Sequence, residues 1–289
     1  MSKSGLVLEG GAMRSIFTAG VLDAMMDNDI CFDEIYTMSA GAYAAMNYIS
    51  GQKGRVLKTN VQTLIDGDKY VGVKTFFKTG GNFFDMHKLF DEYPNKKYPF
   101  DYEAFYASKT KLITALTDCI SGSARYYKDS DYGDRVHLMK VMRASNSLPF
   151  ISRLVKIDGG HMVDGGMSDP IPVHKAIESG ISRPVVVLTQ NKDYRKKLTS
   201  KYGTLIRMIY WKYPKFRQLL KNRPLRYNNV LDFIEREEAE GNMFVIRPTL
   251  PSIKNNETDT SVLMNFYNHG YEMLCNKATE LKNFIAYQG

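Results

Sequence analysis

Short apolar runs alternate with amphipathic stretches along this chain. Leu6-Val7-Leu8 is a continuous apolar run that stops at Gly10-Gly11, the pattern of a short buried strand ended by a turn. From about Ser15 to Asp27, Ile16, Val21, Leu22, Met25 and Met26 recur at helical spacing and predict a helix packed on one face. Ile35-Tyr36-Thr37-Met38 reads as a second strand, followed at once by a small-residue helix from Ala40 to Ile49. Leu112 to Leu116 is a third strand, and Val136 to Ala144 a helix that stops near Pro149. Leu154 to Ile157 and His161 to Val163 pair as a hairpin around Asp158-Gly159-Gly160. Val173 to Ser179 is a short helix stopped by Gly180; Val185 to Leu188 and Phe244 to Ile246 are further strands. Thr258 to Ala286 carries a closing helix. Such alternation predicts an α/β fold with a mainly parallel sheet and helices on both faces.

Two stretches interrupt the rhythm, and both read as insertions or caps over the sheet. Residues 66–111 are rich in lysine and aromatics, among them Phe76, Phe83, Phe90, Tyr93, Phe100 and Phe105. Residues 192–226 hold twelve Lys or Arg against the single acid Asp193, with Tyr202, Tyr210, Trp211, Tyr213 and Phe216 interleaved. No internal repeat or low-complexity segment is present.

Composition narrows the picture. At 289 residues, 44% of them hydrophobic, the chain suits one large α/β domain with a sizeable core. Its formal net charge of +8 favours anionic partners without choosing among phospholipid headgroups, nucleic acid and acidic metabolites. Cys31, Cys119 and Cys275 are far apart and form no CxxC pair, which argues against a disulfide framework or a zinc site and fits a reducing compartment. No His-Glu-x-x-His or other metal-ligand spacing occurs, and no cofactor is expected. No apolar run approaches membrane-spanning length, and the first is too short for a signal-peptide core, so a cytoplasmic location with at most peripheral membrane contact is expected.

Three turns carry candidate chemistry. In Tyr36-Thr37-Met38-Ser39-Ala40-Gly41 a strand ends, one serine follows and small residues open a helix. That is the layout of a nucleophile elbow, in which a sharp turn exposes the hydroxyl and the helix N-terminus faces a developing oxyanion. The plainer reading is a serine N-cap. Glu9-Gly10-Gly11-Ala12-Met13-Arg14-Ser15 joins the first strand to the first helix, where backbone N–H groups can converge on an anion. It fits neither G-x-G-x-x-G nor a phosphate-binding GK[ST] loop. Val163-Asp164-Gly165-Gly166 delivers a carboxylate into a glycine turn, although Asp-Gly is also an ordinary turn dipeptide and Asp158-Gly159-Gly160 stands just upstream.

In this order the three turns resemble the patatin-like phospholipase family, from Gly5 to about Gln190. Leu6 to Arg14 is similar to its glycine-rich loop, Met38-Ser39-Ala40-Gly41-Ala42 to its G-x-S-x-G elbow, and Asp164-Gly165-Gly166 with Met167 to Val173 to its D-G-[GA] segment. Thr114 to Asp118, Ser121-Gly122 and Arg143 to Pro149 also resemble family segments. Ala12, Ser15 and Thr37 stand where the family has glycines, and Pro170 where it often has asparagine. The resemblance implies a three-layer α/β/α fold, with a core of about 5–190, a cap-like insertion of about 66–111 and a basic extension of about 191–289. It implies a lipid acyl hydrolase in which Ser39 attacks an ester carbonyl and Asp164, without a histidine, takes up and returns the proton. The N–H groups of Gly10, Gly11 and Ala12 would hold the oxyanion, Arg14 would position their loop, and Met38, Ala40 and Gly41 would shape the elbow.

Three other readings compete. A Ser-His-Asp hydrolase could use Ser39, Asp164 and His269 in chain order, but its nucleophile normally follows several strands and Ser39 follows only the second. The altered glycines and the basic tract would also fit a weak or inactive protein that docks on anionic membranes. Nucleic-acid binding by residues 192–226 has no accompanying motif, and none is expected.

Overall fold

The computed structural model describes residues 3–197 and 203–286, so Lys201 and Tyr202 of the basic tract lie outside the described residues. Among these residues eight strands form one sheet: β1 (Gly5–Leu8), β2 (Glu34–Thr37), β3 (Lys111–Asp118), β4 (Ser123–Tyr127), β5 (Val155–Ile157), β6 (Gly160–Asp164), β7 (Val185–Val187) and β8 (Phe244–Ile246). Their order is β5-β6-β3-β2-β1-β7-β8, with β4 also paired to β3. β3, β2, β1, β7 and β8 run parallel, while β4 and β6 pair antiparallel with β3, and β5 with β6. The expected β5–β6 hairpin is present, and β4 is a strand the apolar pattern does not predict.

The helices are α1 (Ile16–Asp27), α2 (Ala40–Ile49), α3 (Val73–Lys78), α4 (Tyr102–Ala107), α5 (Arg135–Ser145), α6 (Val173–Glu178), α7 (Gly203–Ile209), α8 (Pro214–Ala239) and α9 (Thr260–Ala286). Short helical turns fill much of residues 55–97. The alternation of side chains along a strand divides the core between the two sheet faces. Leu6 and Leu8 of β1 join one cluster with residues of α1, α2 and α9, while Val7 joins another with Ala176 of α6 and Val230 and Leu231 of α8. The result is the expected α/β/α layering.

Helix α1 differs from its one-faced prediction, since every residue from Ile16 to Met25 is buried. It packs along α9, with the Phe17 and Phe266 rings 5.6 Å apart, and so has protein on both sides. The basic tract, read as an insertion or cap, holds α7 and the first half of α8, and the rest of α8 buries Tyr227, Val230, Leu231 and Ile234 against the sheet.

Candidate active site

Ser39 sits between β2 and α2 with φ 57° and ψ −140°, a backbone conformation that costs a non-glycine residue about 1–3 kcal/mol. Its side chain makes no capping hydrogen bond to α2, which removes the plain N-cap reading. The turn is held from below: the Ser39 N–H donates to Ser145 Oγ at 2.9 Å, and the Ser145 hydroxyl donates to the Ala115 carbonyl of β3 at 2.9 Å. Crowding explains the small neighbours. A Cβ on Gly10 would lie 2.6 Å from Ser39 Cβ, and one on Gly41 would lie 2.5 Å from Thr37 Oγ1 and 3.0 Å from the Glu9 carbonyl.

The three altered glycines have different consequences. Thr37 is fully buried, and its hydroxyl donates to the Leu8 carbonyl at 3.1 Å, so it laces β2 to β1 without disturbing Ser39. Ala12 takes φ 50°, the left-handed region a Cβ disfavours, and carries local strain. Ser15 is buried with a hydroxyl that finds no partner among the described residues.

Asp164 ends β6 and is buried. Its N–H donates to the Ser147 carbonyl at 2.9 Å, and its Oδ1 accepts the Gly166 N–H at 2.8 Å. The other oxygen, Oδ2, is buried and makes no full hydrogen bond among the described residues. Burial pushes the Asp164 pKa above the ordinary carboxylate value; the neighbouring Ser39 hydroxyl, the Gly166 N–H and the charges of Arg223 and Lys196 pull it back. The structure thus brings together a strained serine and a buried carboxylate with one oxygen uncommitted.

Asp158, the rival carboxylate, is occupied elsewhere. Its Oδ2 accepts from Tyr127 Oη at 2.8 Å, and its Oδ1 lies 3.1 Å from His137 Nε2. The histidines are engaged away from Ser39. His269 Nε2 accepts the Thr249 N–H at 3.1 Å, His161 Nδ1 lies 2.6 Å from Tyr213 Oη, His87 pairs with Asp91, and His174 stacks on Phe233.

The Glu9–Arg14 loop runs beside Ser39. Glu9 and Met13 use their N–H groups on the carbonyls of Val187 and Asn255, and Arg14 on that of Gly11. The N–H groups of Gly10, Gly11 and Ala12 have no acceptor among the described residues. The Glu9 carboxylate anchors the loop, since Oε2 accepts the Thr189 N–H at 2.7 Å and Oε1 the Tyr227 hydroxyl at 2.7 Å.

An apolar pocket opens from Ser39, walled by Ala12, Met13, Tyr43, Tyr70, Phe90 and Leu148. Tyr70 and Phe90 come from the aromatic stretch at 66–111, which therefore supplies pocket wall. From the basic tract, Arg223 Nε donates to the Gly166 carbonyl at 2.9 Å and an Arg226 Nη donates to the Met167 carbonyl at 3.1 Å. The sequence motifs point to Ser39, Asp164 and the glycine loop but not to Glu9, Ser145, Ser147, Arg223 or Tyr227. For Ser145 and Ser147 the resemblance of Arg143 to Pro149 was the available signal; for the two α8 residues none existed. Among the described residues, no group of acidic, histidine or cysteine side chains could hold a metal ion. No helix among the described residues is long and apolar enough to cross a membrane.

Residues 6–177 match the family model described as patatin-like phospholipase, and residues 213–286 match a domain of unknown function. The chain is 29% identical over 262 residues to the uncharacterized protein YjjU of Escherichia coli K12, covering 85% of this chain and 68% of that one. A crystal structure of VipD from Legionella pneumophila superposes with a TM-score of 0.48 and 12% identity, covering 96% of this chain and 66% of that chain, just under two thirds of its length.

Proposed function

The chain belongs to the patatin-like phospholipase family, a family of lipid hydrolases, and on that premise we propose that it cleaves acyl esters of lipids through a Ser39–Asp164 dyad. The observation that carries the reading is Ser39 held in a strained turn near the buried Asp164, whose Oδ2 makes no hydrogen bond among the described residues.

On this reading Ser39 Oγ attacks the ester carbonyl carbon and its proton passes to Asp164. The carbonyl oxygen becomes an oxyanion facing the N–H groups of Gly10, Gly11 and Ala12, which have no other acceptor among the described residues. Collapse breaks the bond to the alkoxy oxygen, which takes the proton from Asp164 and leaves as the alcohol. Asp164 then removes a proton from water as it attacks the acyl-enzyme, and collapse releases the carboxylic acid while Asp164 returns that proton to Ser39 Oγ. The apolar pocket suits the acyl chain. Met38, Ala40 and Gly41 shape the elbow, and Arg14 helps hold the oxyanion loop. In this scheme 5–190 is the catalytic core, 66–111 contributes acyl-pocket wall, and 191–289 is an extension that contacts both catalytic loops. An anionic membrane surface is the expected docking partner.

The test is fluorophosphonate labelling together with a panel of acyl esters. Wild type should label at Ser39 and hydrolyse esters, and Ser39→Ala should do neither. Labelling elsewhere, or hydrolysis that survives in Ser39→Ala, would reject the dyad.

A further inference from the structure

The apolar pocket that opens from Ser39 is small for a lipid. It holds about 50 Å³, whereas the polar cleft beside Arg125 and His137 holds about 420 Å³. A water-sized group needs about 10–15 Å³ of such space, so the pocket has room for about three to five of them. A methylene group is close to that size.

Helix α2 sets the reach of the pocket. Tyr43 stands four residues after Ser39, on the same side of the helix and about 5.4 Å further along it. Helical side chains lean back towards the N-terminus, which brings the Tyr43 ring into the pocket wall close to Ser39. Phe90 meets that ring edge to face, with centres 5.9 Å apart and planes at 87°.

The walls are fixed from behind. Arg55 Nη1 lies 3.5 Å from Tyr43 Oη and donates to Asn47 Oδ1 at 2.6 Å, while Arg55 Nη2 donates to the Tyr98 carbonyl at 2.6 Å. Tyr70 donates to the Asn60 carbonyl at 3.1 Å and sets its ring against that of Tyr93, whose hydroxyl donates to Asp68 Oδ2 at 3.1 Å. Tyr43, Tyr70 and Phe90 are all buried. Moving any of these rings breaks a buried hydrogen bond or an aromatic contact, so the pocket does not widen freely.

We propose, resting on the hydrolase reading, that the site takes a short acyl group of about four to six carbons, counting the carbonyl, and that Phe90 packed on Tyr43 is the stop that limits its length. The carbonyl sits at Ser39 and the chain runs towards the Tyr43–Phe90 edge. Each methylene that finds room gains about fourfold in kcat/KM, the equivalent of about 0.8 kcal/mol per buried CH₂. The next one must displace a ring. The lipid cleaved on this reading carries a short acyl arm on a larger alcohol.

The experiment measures kcat/KM for p-nitrophenyl esters of straight-chain acids from acetate to dodecanoate, below their aggregation concentrations, with wild type, Phe90→Leu and Phe90→Ala. Wild type should rise by about fourfold per methylene to a maximum at butanoate or hexanoate and fall beyond it. The maximum should move to longer chains in Phe90→Leu and further in Phe90→Ala. Its position is read within each variant, so a general loss of folded protein leaves it in place. In parallel, butanoate, hexanoate and decanoate are titrated calorimetrically into Ser39→Ala, with and without Phe90→Leu. Hexanoate binding more tightly than decanoate, with decanoate gaining in the Phe90 variant, supports the stop even if no ester is cleaved, an outcome that sinks the hydrolase reading alone. A wild-type maximum at octanoate or longer overturns the short pocket and leaves the hydrolase reading standing. A maximum that stays in place in both Phe90 variants overturns the assignment to Phe90. No cleavage together with no carboxylate binding leaves neither reading standing.

Discussion

Tyr227 donates a 2.7 Å hydrogen bond to Glu9, tying the middle of a C-terminal helix to the residue that opens the glycine loop. Four residues earlier on the same helix, Arg223 holds the Gly166 carbonyl in the turn after Asp164. Residues four apart share a helix face, so α8 grips the oxyanion loop and the aspartate loop at once. Beneath them the segment after α5 does the same for the dyad, with Ser145 on the Ser39 N–H and Ser147 on that of Asp164. The site is therefore assembled from parts of the chain that share no local motif.

The Tyr227–Glu9 contact is buried and involves a carboxylate. Tyr227→Phe keeps the ring under Lys196 but removes the donor, and should cost about 1.5–3 kcal/mol of stability. Chemical denaturation measures it. A loss within the scatter of ordinary surface substitutions would show that α8 does not brace the loop.

The two Asp-Gly-Gly turns should separate cleanly. Asp164→Asn should abolish most ester hydrolysis, whereas Asp158→Asn should leave it near wild type, since Asp158 is committed to Tyr127 and His137. Assays with melting curves decide this. Equal losses in two folded variants would mean that the base has been misassigned.

Asp164 has a raised pKa, chiefly from burial. As a base it must be ionised, so kcat/KM should fall with decreasing pH along a limb above the ordinary carboxylate range. On a neutral short-chain ester, Arg223→Gln should move that limb to higher pH, because the Arg223 charge favours the ionised form. Stability follows the opposite sense. A carboxyl whose folded pKa lies above its unfolded value loses stability as pH rises through the folded value. Asp164→Asn should therefore be inactive yet more stable than wild type at pH 7, with the gain vanishing in acid. An acid limb at the ordinary carboxylate pKa, or a less stable variant at pH 7, would contradict the burial argument.

Ala12 has φ 50° on the oxyanion loop. Ala12→Gly relieves about 1–2 kcal/mol of steric cost and gives back roughly 0.4–1 kcal/mol through the more flexible unfolded chain. A small net stabilisation with activity at least equal to wild type is expected in melting and ester assays. Thr37→Gly should instead destabilise, because it deletes the 3.1 Å bond to the Leu8 carbonyl.

The parallel strands were legible because buried runs such as Leu6-Val7-Leu8 and Val185-Val186-Val187 are bounded by turn residues. β4 was not, since Ser-Ala-Arg-Tyr-Tyr has no apolar run and alternates exposed and half-buried positions before the buried Tyr127. The basic density of 192–226 masked α8, whose apolar positions continue past 226 and whose internal Pro224 looks like a helix breaker. Ser39 and Asp164 could be named together because each stands in a strand-to-turn motif. The Glu9–Tyr227 bond spans 218 residues, and no local pattern encodes such a pair.

The last prediction concerns how the protein meets lipid. Tyr210, Trp211 and Tyr213 stand together in the basic tract, and of these three only Trp211 is free to enter a headgroup layer. Tyr210 is buried against Phe150 and Phe216, and the Tyr213 hydroxyl is engaged with His161. Beside Trp211, 66% exposed, α7 instead presents Leu205, Met208 and Ile209, with Met208 69% exposed. Lys212 and Lys215 are exposed alongside, and the Lys212 ammonium lies 5.0 Å from the Trp211 ring centre. Exposed apolar groups ringed by lysine suit the headgroup layer, where each basic residue is worth about 1 kcal/mol on an anionic surface. Binding to anionic vesicles should exceed binding to neutral ones and weaken with salt. Reversing Lys212 and Lys215 to glutamate should flatten the salt dependence, while Met208→Ser with Trp211→Ser should weaken binding at every salt concentration. Hydrolysis of a soluble short-chain ester should stay near wild type in all of these variants, since none of the changed residues touches the dyad. Equal binding to neutral and anionic vesicles, or none to either, would leave this patch as ordinary surface and remove the membrane from the account.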